Sequence, residues 1–383
     1  MSIHKTTFLI LGGGIAGLSA AIALQQKGIE SLVAEAAPEF KPVGAGLVLA
    51  ANAMKAYKLL GIDSEIFNAG NKLNQFDILD HQGKIISSTS IDTVGDGTPN
   101  VAIHRGSLHG VLLDQLNPGQ ILNGYRTREI KKMDFGYKII FDNDQEIIAD
   151  YVIAAEGIHS VTRNQFFPGS KVRYAGYTCW RGIAENVLEL PLLRATETWG
   201  PAGRFGIVPV GDGKVYWFAV INGPADSSRF KAFDKKDLLE VFEAYHDPIS
   251  SVIQFTDEKS IIHNDIYDLK PIKKFAHENV ILIGDAAHAT TPNMGQGACQ
   301  AIEDAIILAE CIKANSVISE AFQQFERQRI KRTHMIVNRS WTMGKIGQWE
   351  NPIMVSLRNF LLRTTPASIA KKQLEAVYDF KLN

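Results

Sequence analysis

The sequence predicts an α/β composite in which a parallel, doubly wound sheet is interrupted along the chain by a second, separate sheet. Three observations predict it. Strand, glycine turn, helix and strand follow one another between residues 7 and 35. Residues 173–222 are rich in aromatic and β-branched side chains punctuated by Gly and Pro, as in a distinct sheet. Residues 278–313 then return to strand, loop and helix. The domain that begins at the N-terminus is therefore expected to be discontinuous, with the second sheet inserted into it.

Taken in order, residues 7–11 form an apolar run, as a parallel strand covered on both faces requires. The helix at 15–27 carries Ile15, Leu18 and Ile22 on one side, and Gly28 stands where a C-terminal cap belongs. The strand Ser31–Glu35 closes a right-handed βαβ unit. A second helix is expected at 51–60, ended by Gly61, followed by polar strands over 73–93 and a loop at 94–100. Strands at 137–141 and 146–155 flank the turn Asp142-Asn143-Asp144, and the second sheet is expected to hold strands at 205–210 and 214–221. Beyond 313 the chain reads as helical and basic. This assigns 1–72, 100–171 and 270–383 to the discontinuous domain, and 73–99 with 172–269 to the inserted sheet. A chain of 383 residues exceeds the usual size of one core, which suits that division.

Composition excludes several classes. Hydrophobic residues are 45% and charged residues 21%, a globular balance. Lys plus Arg number 40 against 41 Asp plus Glu, so the basic excess of a nucleic-acid binder is missing. Cys179, Cys299 and Cys311 are scattered and form no CxxC, which argues against a disulfide framework or a metal site and for a reducing, cytoplasmic setting. The uncharged stretch 8–24 is broken by Gly12, Gly13 and Gly14 and is short for a membrane span, so neither a signal peptide nor stable membrane insertion is expected. Near the end, Leu357, Phe360 and Leu361 alternate with Arg358, Arg363 and Lys371. Such a stripe is expected to pack on the discontinuous domain; the alternative is a helix resting on a membrane.

Gly12-Gly13-Gly14-Ile15-Ala16-Gly17 fits Gly-x-Gly-x-x-Gly between strand and helix, the Rossmann-like fingerprint. The first glycine permits the tight turn, the second lets backbone approach a pyrophosphate, and the third lets helix and strand pack closely. Free N–H groups at the start of the helix, on Ile15 and Ala16, face phosphate charge. Glu35, 18 residues after Gly17, and the adjoining Ala36 stand where ribose hydroxyls are bound. That pattern serves NAD and FAD alike. A second constellation separates them. The apolar run Val280-Ile281-Leu282-Ile283 ends in Gly284-Asp285, where a carboxylate can accept hydrogen bonds from a ribityl chain. Pro292-Asn293-Met294-Gly295-Gln296-Gly297 then leads into a helix beginning at Ala298, whose positive end would stabilise charge on a reduced flavin.

With these motifs the sequence resembles the flavoprotein aromatic hydroxylases, the single-component class A monooxygenases, over nearly its whole length. Ala155-Glu156-Gly157-Ile158-His159-Ser160-Val161-Thr162-Arg163 is similar to the family's Asp-Gly motif, with Glu156 in place of Asp and Thr162 in place of Val. Arg105 falls where the family places an arginine near FAD. Tyr174-Ala175-Gly176-Tyr177-Thr178-Cys179-Trp180-Arg181-Gly182 is similar to zeaxanthin epoxidases and to FAD-dependent urate hydroxylases, and in the latter Arg204 and Tyr216 match substrate-contacting positions.

The resemblance implies an aromatic-hydroxylase-type fold with a Rossmann-like FAD-binding domain, non-covalent FAD, and NAD(P)H as a transient co-substrate. The implied activity inserts one oxygen atom of O2, through a flavin C4a-hydroperoxide, into a small aromatic or heteroaromatic substrate. The alternative is an FAD-dependent epoxidase or reductase acting on an isoprenoid alkene; a flavin-binding regulator without turnover is the reading from another class. No Gly-x-Ser-x-Gly, His-Glu-x-x-His or Walker loop occurs, and no side chain is assigned a catalytic role, because the flavin carries the chemistry. His288, Trp180 and Trp217 are expected to be structural.

Overall fold

A computed structural model describes residues 4–41, 45–91, 94, 96–185, 187 and 191–382. At its centre lies an eight-stranded sheet whose main path joins Ala276–His277, Val280–Leu282, Glu146–Ala154, His4–Leu11, Ser31–Glu35 and Ile121–Asn123. Four of its pairings are parallel, and their register aligns Leu11 with both Ala154 and Ala34, and Ala154 with Leu282. The carboxyl ends of these strands therefore finish along one line. Ligands of open α/β sheets bind in the crevice outside that edge. Strands Thr127–Lys132 and Tyr137–Phe141 extend the sheet as antiparallel neighbours.

The helices Ile15–Gln26 and Gly297–Ala314 pack together on this sheet. Leu18, Ile22, Ile302 and Ala305 are fully or almost fully buried there. Ala-rich faces let the two axes approach closely. A three-stranded sheet of Gly46–Leu49, Asn71–Leu73 and Asn100–His104, and the helix Asp63–Ala69, were not foreseen from the sequence.

The seven-stranded sheet draws its strands from 75–90 and 172–269. Successive side chains on a strand point to opposite faces. Register places Arg204, Gly206 and Val208 opposite Val220, Phe218 and Tyr216, so these six share one face. Phe205, Trp217 and Trp180 occupy the other face, beneath helices Lys235–Val241 and Ile249–Gln254. That helical cover was also not foreseen. Both tryptophans are buried in it, Trp217 stacked on Phe205 with ring centroids 5.4 Å apart.

Three helices close the chain: Ile318–Gly347, Pro352–Thr364 and Ala367–Tyr378. The first carries Arg329 into the interior, where it donates from Nε to Asp304 Oδ1 (2.6 Å) and from Nη1 to Glu303. The second departs from the expectation that its apolar stripe faces protein. Ile353, Leu357, Phe360 and Leu361 are exposed, and its buried side chain is Arg358. Among the described residues no helix is long and apolar enough to cross a membrane.

Candidate active site

The glycine turn takes its shape from contacts that leave no room for side chains. Gly12 has φ +105°, and a Cβ on it would lie 2.5 Å from the Ala155 carbonyl oxygen; one on Gly17 would lie 1.9 Å from that of Gly12. Gly14 differs, because a Cβ there would meet nothing within 4 Å. Its smallness serves open space in the crevice rather than a protein neighbour. Among the described residues no side chain caps the helix beginning at Ile15, so its first N–H groups are left for a ligand. Ile15 itself is buried in the core and can contribute backbone only, while Ala16 is half-buried.

Glu35 ends the second strand half-buried, accepting from Gly13 N at 2.6 Å and from Ala37 N at 2.7 Å. Each carboxylate oxygen keeps a further lone pair for a hydroxyl. Ala36 is half-buried beside it. Across the turn, the His109 ring lies near Phe40, with centroids 5.9 Å apart, and its buried Nε2 has no partner among the described residues. Burial, then Arg105, holds the His109 pKa below the usual histidine range.

The second constellation meets the first directly. A Cβ on Gly284 would lie 2.8 Å from that of Ala16 and 3.3 Å from that of Ala301. Asp285 follows at the sheet's edge. It is solvent-exposed, yet burial is the largest influence on its carboxyl and raises its pKa, against His288 and Arg105. Both facts hold for a side chain at the floor of a deep, open cleft. Arg105, exposed at the start of the helix Arg105–Leu113, adds positive charge there.

Gly295 adopts φ +61°, with nothing within 4 Å of where a Cβ would stand, and a Cβ on Gly297 would lie 3.9 Å from Asp285 Oδ1. Pro292 is exposed, Ala298 half-buried, and no side chain caps the helix that begins at Gly297. Gln296 turns inward: its Oε1 accepts from Asn52 Nδ2 (3.0 Å) and Gln300 Nε2 (3.1 Å). Only its backbone is available to a ligand.

These residues fit FAD. Two uncapped helix N-termini, an open glycine, a strand-end glutamate and a cleft-floor aspartate line one crevice, as a dinucleotide carrying a polyol chain demands. Asp285→Ala is expected to leave the purified protein with less than half the flavin of the parent. Absorbance at 450 nm per polypeptide checks this, and full occupancy would contradict the role given to Asp285.

The Glu156 motif is tied to this floor from outside. Glu156 Oε2 accepts from Ser160 Oγ (2.6 Å) and Thr162 N (3.1 Å), capping the helix Val161–Phe166. Arg163 then donates to the carbonyls of Ile158 and Ala286. The longer acid thus has a local structural task.

Arg204 and Tyr216 lie on the sheet face turned toward the nucleotide domain. Arg204 is 3% exposed, and each of its three nitrogens donates to protein: Nε to Gln348 (2.7 Å), Nη1 to Glu197 (2.9 Å) and Nη2 to Asn293 (2.8 Å). It joins the sheet, the flavin-side loop and the end of the long helix. Tyr216 packs its Cβ and Cγ beside Gly46, its ring centroid lies 6.0 Å from that of Phe218, and its hydroxyl makes no hydrogen bond among the described residues. Burial raises its pKa well above that of a free phenol. His288 is buried and bonded through Nε2 to Asp304 Oδ2 at 2.6 Å, a structural placement.

Sequence reading missed Asn293, whose amide binds Tyr177 Oη (2.8 Å) and whose oxygen holds Arg204. Its position inside the glycine loop was the available signal. It also missed Arg329 and Gln348, which on a polar helical stripe look like any solvated residue.

The chain matches the FAD binding domain family over residues 5–323. It is 36% identical over 359 residues to the aurachin C monooxygenase/isomerase of Stigmatella aurantiaca, covering 93% of this chain and 94% of that protein. It is 33% identical over 369 residues to the 2-heptyl-3-hydroxy-4(1H)-quinolone synthase of Pseudomonas aeruginosa, covering 94% of each. The crystal structure of Klebsiella pneumoniae HpxO complexed with FAD and uric acid superposes with a TM-score of 0.90 at 26% identity, covering 98% of this chain and 96% of that one. With the crevice built as FAD requires, the chain belongs to the FAD-binding monooxygenase family and is a flavin-dependent oxidoreductase.

Proposed function

We propose that this protein is an NAD(P)H-dependent FAD monooxygenase that adds one oxygen atom of O2 to a neutral, oxygen-bearing N-heteroaromatic ring of the quinolone type. The observation that carries the reading is the Tyr216 hydroxyl, which makes no hydrogen bond among the described residues, in an apolar wall. A protonated phenol held there donates one hydrogen bond to a ring oxygen and leaves the rest of the ring to apolar contact. The pairing of Arg204 with Glu197 supports a neutral substrate, since its cation is already answered. The quinolone named in the Pseudomonas relative's product, with its heptyl chain, has this chemistry.

Bound flavin supplies the redox chemistry, taking reducing equivalents from NAD(P)H and activating dioxygen. The protein's own work is positioning and exclusion. Tyr216 orients the ring, Val208 and Phe218 keep water from it, and Arg204 fixes the sheet against the Asn293 loop.

Oxidation of NAD(P)H measured with 2-alkyl-4-quinolones and with urate, followed by mass spectrometry for one added oxygen, tests the proposal. Quinolones are expected to accelerate oxidation and gain oxygen; acceleration by urate alone would overturn the substrate class. Tyr216→Phe is expected to raise KM about tenfold, the value of one hydrogen bond, with flavin content unchanged.

A further inference from the structure

The helix Pro352–Thr364 is built inside out. Arg358 is 3% exposed, while Ile353 is 78%, Phe360 61%, Leu361 54% and Leu357 48% exposed. These four recur at i, i+4, i+7 and i+8, a single stripe that on a packed helix would face the core. The inversion is fixed by Arg358. Its Nη1 donates to the carbonyls of Gly347 (3.0 Å) and Ile346 (3.3 Å), at the negative end of the long helix. Its guanidinium also lies 4.7 Å from the Trp199 ring centroid. Turning the stripe inward would break all three contacts.

Charge indicates what covers the stripe. Residues 352–374 contain Arg358, Arg363, Lys371 and Lys372 but no Asp or Glu, in a chain of net charge −1. Lys371 and Lys372 are exposed, and Arg363 is half-exposed with one contact to Asp80. A second copy placed on this surface by a two-fold axis would set its basic residues against their own counterparts. An anionic lipid surface instead receives both features, apolar side chains at the acyl boundary and cations among the headgroups.

We propose that this helix docks the protein reversibly on an anionic bilayer, lying in the plane of the surface. Its 13 residues are too few to span one. The helix packs against strand Ile85–Ser90 at the edge of the seven-stranded sheet and reaches Trp199 beside Arg204. Docking therefore brings that edge to the phase in which an alkyl-chained substrate collects; this last step rests on the proposed function.

The test is co-sedimentation of the FAD-loaded protein with phosphatidylglycerol–phosphatidylcholine vesicles, pure phosphatidylcholine vesicles and none. Binding is expected with the anionic vesicles and is expected to fall at high salt. Leu357→Ser with Phe360→Ser should weaken it about 100-fold while flavin content stays unchanged. Absence of binding to either vesicle would overturn the proposal. So would a concentration-dependent dimer of the parent that the double variant abolishes, because a second copy would then cover the stripe. No turnover is needed, so an error in substrate class leaves this result unaffected.

Discussion

Replacing Arg329 with Met is expected to destabilise the folded protein by about 3 kcal/mol or more, the usual cost of removing one member of a buried ionic cluster. Arg329 is 1% exposed and answers two carboxylates, Glu303 and Asp304, which are themselves fully buried. Arg332 still reaches Glu303 and His288 still reaches Asp304 in the variant, so the cluster is weakened rather than erased. Burial is the largest influence on both acids and works against their charge, but the arginines, and His288 for Asp304, outweigh it and leave both pKa values lowered. A carboxylate lowered on folding contributes stability that is complete above its unfolded pKa and is lost as pH falls through its folded one. The gap between parent and variant should therefore be largest near neutrality and shrink below about pH 4. Chemical unfolding of the flavin-free proteins at several pH values measures it. Equal stabilities at pH 7 would refute the account. Because Asn52 bridges Glu303 to Gln296, the variant should also hold flavin less firmly.

What could be read from the sequence follows from which constraints are local. Gly12 and Gly17 are legible because contact with backbone forbids any other residue, and Glu35 because its distance from them is set by one helix and one strand. Asp285 was expected to end an apolar strand; the strand stops at Leu282, and Asp285 instead begins the short helix Asp285–His288 just beyond it. Arg204 was found by resemblance alone. Its partners Glu197, Asn293 and Gln348 come from three separate segments that no spacing rule connects. The terminal helix misled because amphipathicity gives the apolar stripe but not the side on which protein lies. Arg358 decides that, through carbonyls of another helix.

The second large effect separates the two meanings of glycine within one motif. Gly14 has φ −74° and ψ −176°, extended backbone open to any residue, and free space where its side chain would be. An account confined to folding predicts that Gly14→Val costs about 1 kcal/mol or less in the flavin-free protein, the difference between residues at a helix start. If that space is where the pyrophosphate approaches the backbone, the same variant should purify colourless, with under about a tenth of the parent's FAD. Gly17→Val reverses the pattern. Its Cβ would fall 1.9 Å from a main-chain oxygen that cannot move without opening the turn, so soluble folded protein itself should be lost. Flavin absorbance and unfolding midpoints on both variants distinguish the cases. A stable, fully yellow Gly14→Val protein would place the cofactor elsewhere.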